Sequence, residues 1–101
     1  MRVAWSTEAR RQVHEIWHYI ALDDPEAAGR MVTRLVAAVE RLAHFPHLGR
    51  PGREGSRELV VGGTPFIVVY RVEGEEIKIG TVVHGAQRRE KQRRSSFRER
   101  K

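Results

Sequence analysis

The stretch RELVVGGTPFIVVYRVEGEEIKIGTVVHG, residues 57–85, decides the fold. It contains three segments rich in β-branched and aromatic residues, at positions 57–61, 66–72 and 77–83. The intervening GGTP and EGEE are short enough for hairpin turns. The stretch therefore predicts three consecutive antiparallel strands.

The middle strand is apolar on both of its faces. One face holds Phe66, Val68, Tyr70 and Val72, and the other holds Ile67, Val69 and Arg71. Such a strand is normally covered on both sides, which predicts a central position in the sheet. A chain of 101 residues supplies helices for one face only. The other face then keeps an apolar patch that a partner protein could bury; closure by a loop, by the tail or by a second copy of the chain is an equal alternative.

Two helices are predicted upstream of these strands. Residues 2–5 suit a short strand, and Ser6 can accept a hydrogen bond from the first turn of a helix beginning at Thr7. Asp24 can cap a second helix whose first position is Pro25, where the missing N–H is not needed. A short turn joins the two helices, so they form a helical hairpin.

Each predicted helix has one apolar face at the helical period. The face of the first helix comprises Ala9, Val13, Ile16, Trp17 and Ile20, and that of the second comprises Ala28, Met31, Val32, Leu35, Val39, Leu42 and Phe45 and continues to Pro46. Trp5 and Trp17 are predicted core residues. Residues 46–56, PHLGRPGREGS, contain two prolines and three glycines, so they predict an irregular loop.

Composition excludes several kinds of site. The length suits one domain, and the absence of cysteine excludes disulfides, thiolate nucleophiles and thiolate metal sites. No apolar run is long enough to span a bilayer, so a cytoplasmic protein is expected. His14 and His18 have a spacing that can bind zinc, but the sequence offers no evident third ligand. We therefore expect neither a metal nor a cofactor.

The net charge of +6 lies entirely in the C-terminal tail. Residues 87–101 hold eight of the 19 Lys and Arg and two of the 13 acidic residues, whereas residues 1–86 hold eleven of each. A neutral body with a cationic tail suggests an arm that meets polyanions or a solubilising terminus. The candidates for nucleic-acid binding in the tail are Arg88, Arg89, Lys91, Arg93 and Arg94.

Several short motifs together resemble the RelE/ParE superfamily of toxins. They are WSTEAR near the start, HFPHLGRPGR after the second helix, REL, VVYRV and VVHGA. The resemblance covers residues 1–88 and leaves residues 89–101 as a separate basic tail. It implies an α+β fold with the order β-α-α-β-β-β, in which a helical hairpin packs on a mainly antiparallel, twisted sheet.

The resemblance also implies a partner. Such a toxin belongs to a type II toxin–antitoxin pair and is neutralised by a small antitoxin, ParD-like or Phd/RelB-like, in a hetero-oligomer. An antitoxin segment that folds on binding would cover the apolar sheet face. The residues expected to contact it are Arg57, Leu59, Ile67, Val69 and Arg71.

Two activities are known in the superfamily. RelE-like members resemble ribosome-dependent mRNA endonucleases, for which cations and an acid or base are required. The candidates here are His84, Arg57 and Arg71, with Arg50 or Arg53 as further cations. ParE-like members poison DNA gyrase without known catalysis.

The sequence favours the ParE-like activity. Ile67 occupies the position at which the endonucleases usually carry an arginine, three residues before the tyrosine. Arg71 lies about 13 Å farther along the strand, at roughly 3.3 Å per residue, and is no simple substitute. The neutral body also lacks an excess of cations for an RNA channel. An mRNA endonuclease is the alternative, and an inactive antitoxin-binding module is a second.

Overall fold

The computed structural model describes residues 1–86 of the chain. It contains strand β1 (Arg2–Trp5), helices α1 (Thr7–Ala21) and α2 (Pro25–Leu42), the two-residue strand β2 (Arg50–Pro51), a 3₁₀ turn (Arg53–Gly55) and strands β3 (Arg57–Val60), β4 (Phe66–Glu73) and β5 (Glu76–His84). The five strands form one sheet in the order β1-β5-β4-β3-β2. The strand β1 is parallel to β5, and the other pairs are antiparallel. The predicted α+β fold and the central position of β4 are confirmed.

The capping residues begin both helices where the sequence predicts. The Ser6 hydroxyl accepts a hydrogen bond from the Ala9 N–H at 2.9 Å and donates one to the Gly80 carbonyl oxygen at 2.7 Å. The Asp24 carboxylate accepts bonds from the Glu26 and Ala27 N–H groups, both at 3.1 Å. Ser6 therefore also ties the start of α1 to β5.

The core lies between the helical hairpin and one face of the sheet. The helices contribute Ala9, Leu35, Val39 and Leu42, and the sheet contributes Leu59, Val61, Val68, Tyr70, Ile77, Ile79 and Val82. Trp5 is half-buried and packs against this cluster. The prediction of a core position for Trp17 is wrong, because this side chain of α1 is 39% exposed.

The second helix is shorter than predicted. It ends at Leu42, and Phe45 is 60% exposed instead of core. The physical reason is Pro46, whose ring disfavours helical backbone at the residue before it. The chain turns over residues 43–45, where the Phe45 N–H still reaches the Arg41 carbonyl at 2.9 Å.

The segment predicted as an irregular loop, residues 46–56, is more ordered than its proline and glycine content suggested. Its Arg50 and Pro51 pair with Glu58 and Arg57 of β3 and extend the sheet by a two-residue edge strand. The buried Tyr70 hydroxyl accepts a bond from the Gly49 N–H at 2.9 Å and donates one to the Pro46 carbonyl at 2.8 Å. Tyr70 thus fastens the start of this segment to the central strand.

Strand β5 contains a β-bulge at Gly80. Val69 of β4 pairs with Thr81 and Tyr70 pairs with Ile79, so Gly80 is an extra residue without a partner on β4. The bulge shifts the side-chain alternation by one residue. It therefore places Ile77 and Ile79 on the same core-facing side as Val82, although their spacing breaks the period of two.

Candidate functional site

The sheet has a second face that neither α1 nor α2 covers, which we call the open face. Strand register places on it Glu58, Val60, Ile67, Val69, Arg71 and Lys78, because Glu58 pairs with Val69, Val60 with Ile67, and Arg71 with Lys78. Val60 is 56% exposed and Val69 is half-buried, whereas Ile67 is buried. The main chain at Gly85 lies over Ile67, since a Cβ there would be 3.7 Å from the Ile67 Cδ1. The apolar end of this face is thus smaller than the sequence predicts.

The charged end of the open face contains a cleft of about 440 Å³. Its walls include Arg53, Glu54 and Ser56 from the turn, Val69, Arg71 and Glu73 from β4, and Lys78 and Gly80 from β5. The Arg71 guanidinium donates a hydrogen bond to the Glu54 carbonyl oxygen. The Lys78 ammonium lies 3.3 Å from the Glu73 carboxylate, and both side chains are about half exposed.

The turn beside this cleft has an unusual backbone. Glu54 has φ 52° and ψ 43°, which is the left-handed region that a residue with a Cβ rarely adopts. Under the turn lies Glu58, which is 3% exposed, with the Arg50 guanidinium 3.6 Å from its carboxylate. A side chain on Gly52 would come within 2.9 Å of Ser56 and 3.1 Å of Glu58, so glycine permits the turn to close over the carboxylate.

Arg57 and Leu59 do not share the open face with the other three residues expected to contact an antitoxin. Arg57 pairs with Tyr70 and Leu59 with Val68, so both side chains emerge on the helix side of the sheet. Leu59 is 9% exposed and belongs to the core. The Arg57 guanidinium donates a 2.7 Å bond to the Gly49 carbonyl and so holds the preceding loop. Strand register therefore places Arg57 and Leu59 on the opposite side of the sheet from Ile67, Val69 and Arg71.

His84 also lies on the helix side. It pairs with Phe66, its ring contacts the Phe66 ring edge-to-face at 5.8 Å, and its Nδ1 accepts a bond from the Ala86 N–H at 3.2 Å. It borders a second cleft, of about 350 Å³, together with Gln12, Glu15 and Tyr19 of α1. His84 and Arg71 thus face opposite sides of the sheet.

The three residues predicted for catalysis are accordingly not brought together. Arg71 lies in the open-face cleft, Arg57 holds Gly49, and His84 lies beside α1. An imidazole on one side of a sheet cannot deprotonate a hydroxyl whose phosphate is held by a guanidinium on the other. Strand register thus separates the trio, and a catalytic role for each of its residues stays a prediction.

Sequence reasoning missed three residues of the open face: Glu58, Val60 and Lys78. Val60 could have been found, because alternation in β3 sets it opposite to Leu59 and hence away from the core. The position of Lys78 could be predicted only with knowledge of the bulge. Without the bulge, alternation counted back from His84 would place Lys78 on the helix side of the sheet. The tail residues Arg88, Arg89, Lys91, Arg93 and Arg94 lie outside the described residues.

Residues 1–86 contain no group of three His, Cys, Asp or Glu side chains able to hold a metal ion, and His14 and His18 are both exposed on α1. Neither of the two helices is long and apolar enough to cross a membrane.

Comparison with known families decides the class. The family model described as the ParE toxin of the type II toxin–antitoxin system parDE matches residues 3–89. This chain is a member of the ParE toxin family. The resemblance predicted from the sequence motifs is confirmed, and the match includes all of the described residues except the first two.

Curated relatives and solved structures agree with this ParE-family assignment. A Sinorhizobium fredii protein named "Putative toxin Y4kP" is 45% identical over 87 residues, which are 85% of this chain and 90% of the relative. Toxin RelE2 of Caulobacter vibrioides is 35% identical, over 84% of this chain and 96% of its own length. The chromosomal ParDE toxin–antitoxin system of P. aeruginosa superposes with a TM-score of 0.74 at 32% identity, covering 83% of this chain and 95% of that one.

The toxin–antitoxin complex RelBE2 of Mycobacterium tuberculosis is also similar to this ParE-family chain. It superposes with a TM-score of 0.62 at 26% identity, covering 82% of this chain and 95% of that one. The ParDE structure and the RelBE2 structure therefore both share the fold of this chain. The chain is a toxin of a type II toxin–antitoxin system, and similarity alone does not separate the two activities.

Proposed function

We propose that this toxin arrests bacterial growth by poisoning DNA gyrase in the cytoplasm, and that a cognate antitoxin neutralises it by covering the open face. The observation that carries the choice of target is the separation of His84 from Arg71 by the thickness of the sheet. RNA cleavage requires a cation at the phosphate and an acid or base at the reacting hydroxyl within hydrogen-bond reach of one substrate. His84 and Arg71 do not meet that condition.

The charge of the described residues supports the same choice. Residues 1–86 carry eleven cations and eleven acidic residues, and acidic side chains share the open face with Arg71 and Lys78. A protein that sits among RNA phosphates gains affinity from an excess of cations on its binding face. A protein target such as gyrase does not need that excess.

An antitoxin on the open face fits both the comparisons and the exposed residues. Two of the similar solved structures are a ParDE system and a RelBE2 complex. Val60 and Val69 offer apolar surface beside the charged cleft. A segment that folds on binding can therefore bury these apolar side chains together with the charged ones. Leu59 is excluded from this surface because it lies in the core.

The mRNA endonuclease remains the second candidate because Arg53, Arg71 and Lys78 converge on one cleft and because the relative RelE2 is 35% identical. An inactive antitoxin-binding module is the third. The three candidates predict different results when the chain is induced alone in bacteria. Gyrase poisoning should give an SOS response and filamentation with intact mRNA, mRNA cleavage should give cuts within translated codons, and the inactive module should leave growth unchanged.

Two variants sharpen this experiment. His84→Ala should keep its toxicity if gyrase is the target, and His18→Ala, an exposed histidine on α1, is the matched control. Purified toxin should also stabilise gyrase-dependent cleavage of plasmid DNA, and addition of the antitoxin should reverse it. Loss of toxicity in His84→Ala alone, with antitoxin binding retained and mRNA cut in the wild type, would overturn the choice of gyrase.

A further inference from the structure

Two cations face each other across adjacent strands on the open face. Arg71 of β4 and Lys78 of β5 are register partners, and both side chains are exposed. Like charges placed directly opposite one another destabilise a sheet, so folding alone does not favour the pair. An anion near the two offsets this repulsion, and the Glu73 carboxylate does so for Lys78.

Arg71 is the member of this pair for which residues 1–86 supply no ion-pair partner. Lys78 has the Glu73 carboxylate at 3.3 Å. Arg71 donates to a main-chain oxygen, that of Glu54, and within residues 1–86 it forms no ion pair with a carboxylate. The guanidinium also lies against the turn, since a Cβ on Gly55 would be 3.4 Å from its Nη1. One bond therefore holds the guanidinium in place, while its remaining N–H groups can bind a planar oxyanion.

The surroundings of Arg71 favour a single carboxylate over a polyanion. Glu54 and Glu73 line the same cleft, and Glu58 lies buried under the adjoining turn. A nucleic acid would bring further phosphates into the field of these carboxylates, which raises the cost of binding. One acidic side chain can instead contact Arg71 by the two parallel bonds that guanidinium and carboxylate form.

The apolar residues near the cleft specify what else the occupant carries. Val69 lines the cleft, and Val60 is 56% exposed beside Ile67. Ile67 and Arg71 are four residues apart on β4, or about 13 Å at roughly 3.3 Å per residue. Val60 is the register partner of Ile67, so an occupant that contacts Val60 and Arg71 has an aliphatic side chain and an acidic one separated by about this distance.

We propose that Arg71, with Lys78 beside it, receives the carboxylate of an acidic side chain from the antitoxin segment that covers the open face, with an aliphatic residue of that segment on Val60 and Val69. The inference rests on the proposed neutralisation by an antitoxin. It adds the chemistry of the contact, and it makes Arg71 an element of partner recognition instead of a group for RNA cleavage. Because the guanidinium is already fixed by Glu54, little ordering is required when the carboxylate arrives.

The test measures the affinity of the 101-residue chain for its cognate antitoxin. Arg71→Ala should raise Kd by about 30-fold or more, which is typical of an arginine that anchors an interface. Arg71→Lys should recover only part of this loss, because an ammonium cannot form the bidentate contact. Arg30→Ala, an exposed arginine on α2, is the matched control and should leave Kd unchanged. Thermal unfolding of each variant verifies that the fold is intact.

A charge exchange identifies the partner atom. Each Asp and Glu in the C-terminal half of the antitoxin is replaced by Arg, and the panel is tested against Arg71→Glu. One member should bind Arg71→Glu more tightly than the unchanged antitoxin does, and the same member should bind the wild-type chain poorly. This reciprocal result is not expected if Arg71 only holds the turn at Glu54.

Three outcomes would overturn the inference, and they differ in whether the proposed neutralisation by an antitoxin is overturned as well. An Arg71→Ala variant that binds the antitoxin within about threefold of the wild type overturns the contact alone and leaves neutralisation intact. Loss of binding to a 20-nucleotide single-stranded RNA in Arg71→Ala, with antitoxin affinity unchanged, assigns the cleft to RNA instead. Failure of the wild-type chain to bind the antitoxin at all overturns the proposed neutralisation together with the contact.

Discussion

Replacing Tyr70 by phenylalanine tests how the loop before the 3₁₀ turn at Arg53–Gly55 is held. The Tyr70 hydroxyl is buried and bridges the Gly49 N–H at 2.9 Å and the Pro46 carbonyl at 2.8 Å. The variant keeps the ring but leaves a buried donor and an acceptor without this partner. Each lost hydrogen bond costs about 1 kcal/mol, and an unsatisfied buried group costs about 1–3 kcal/mol.

We therefore expect Tyr70→Phe to lower the free energy of unfolding by about 2–3 kcal/mol. For a chain of this size that corresponds to a fall in Tm of roughly 10–20 °C. Urea unfolding followed by far-UV circular dichroism measures the free energy, and the slope against urea should not change. Hydrogen exchange supplies a local readout, since the Gly49 amide should exchange faster than in the wild type.

Tyr19→Phe is the matched control, because Tyr19 is 78% exposed on α1. It should change the free energy of unfolding by less than about 0.5 kcal/mol. If Tyr70→Phe falls within that same range and the Gly49 amide exchanges as before, the Tyr70 hydroxyl does not fasten the loop. The positions inferred for Arg57 and the turn at Glu54 would then need another support.

Substitutions at three further positions can be followed by the same urea unfolding. Gly49→Ala should cost about 3 kcal/mol, because the new Cβ would lie 2.8 Å from the Tyr70 ring and 2.9 Å from the Glu58 carbonyl; a neutral result would show that the loop can move away. Glu54→Gly should raise stability by about 0.5–1 kcal/mol, since it relieves the left-handed backbone at φ 52°, and a loss of stability would contradict that strain. Gln12→Ala should cost about 1–3 kcal/mol, because the Gln12 Oε1 accepts the Val82 N–H at 2.6 Å. Gln12→Glu, which keeps the acceptor, should cost less, and equal losses would rule out the bond as the cause.

The parts of the fold that follow from local chemistry could be predicted from the sequence. Ser6 and Asp24 begin the two helices because a side-chain oxygen satisfies N–H groups that the helix itself leaves open. The position of β4 in the middle of the sheet follows from its two apolar faces. These features depend on a few neighbouring residues, so no knowledge of the rest of the molecule was required.

The candidate site was harder to predict because it depends on which strands pair and in what register. Arg57, Arg71 and His84 are all polar residues in neighbouring strands, and their types alone suggest one cationic acid–base site. Pairing of Arg57 with Tyr70, and of His84 with Phe66, turns two of the three toward the helices. A single-residue change in register would reverse each side chain, and residue type carries no information about that choice.

The bulge at Gly80 shows how one residue decides the chemistry of the open face. Counting back from Val82 in steps of two would put Lys78 against the helices, where a charge without a partner is costly. The extra residue instead turns Ile77 and Ile79 into the core and brings Lys78 opposite Arg71. The apolar spacing itself, two residues from Ile77 to Ile79 and three from Ile79 to Val82, contains this information. A glycine inside a strand often marks a bulge, so the pair of facing cations was encoded in the sequence as an interruption of an otherwise regular strand.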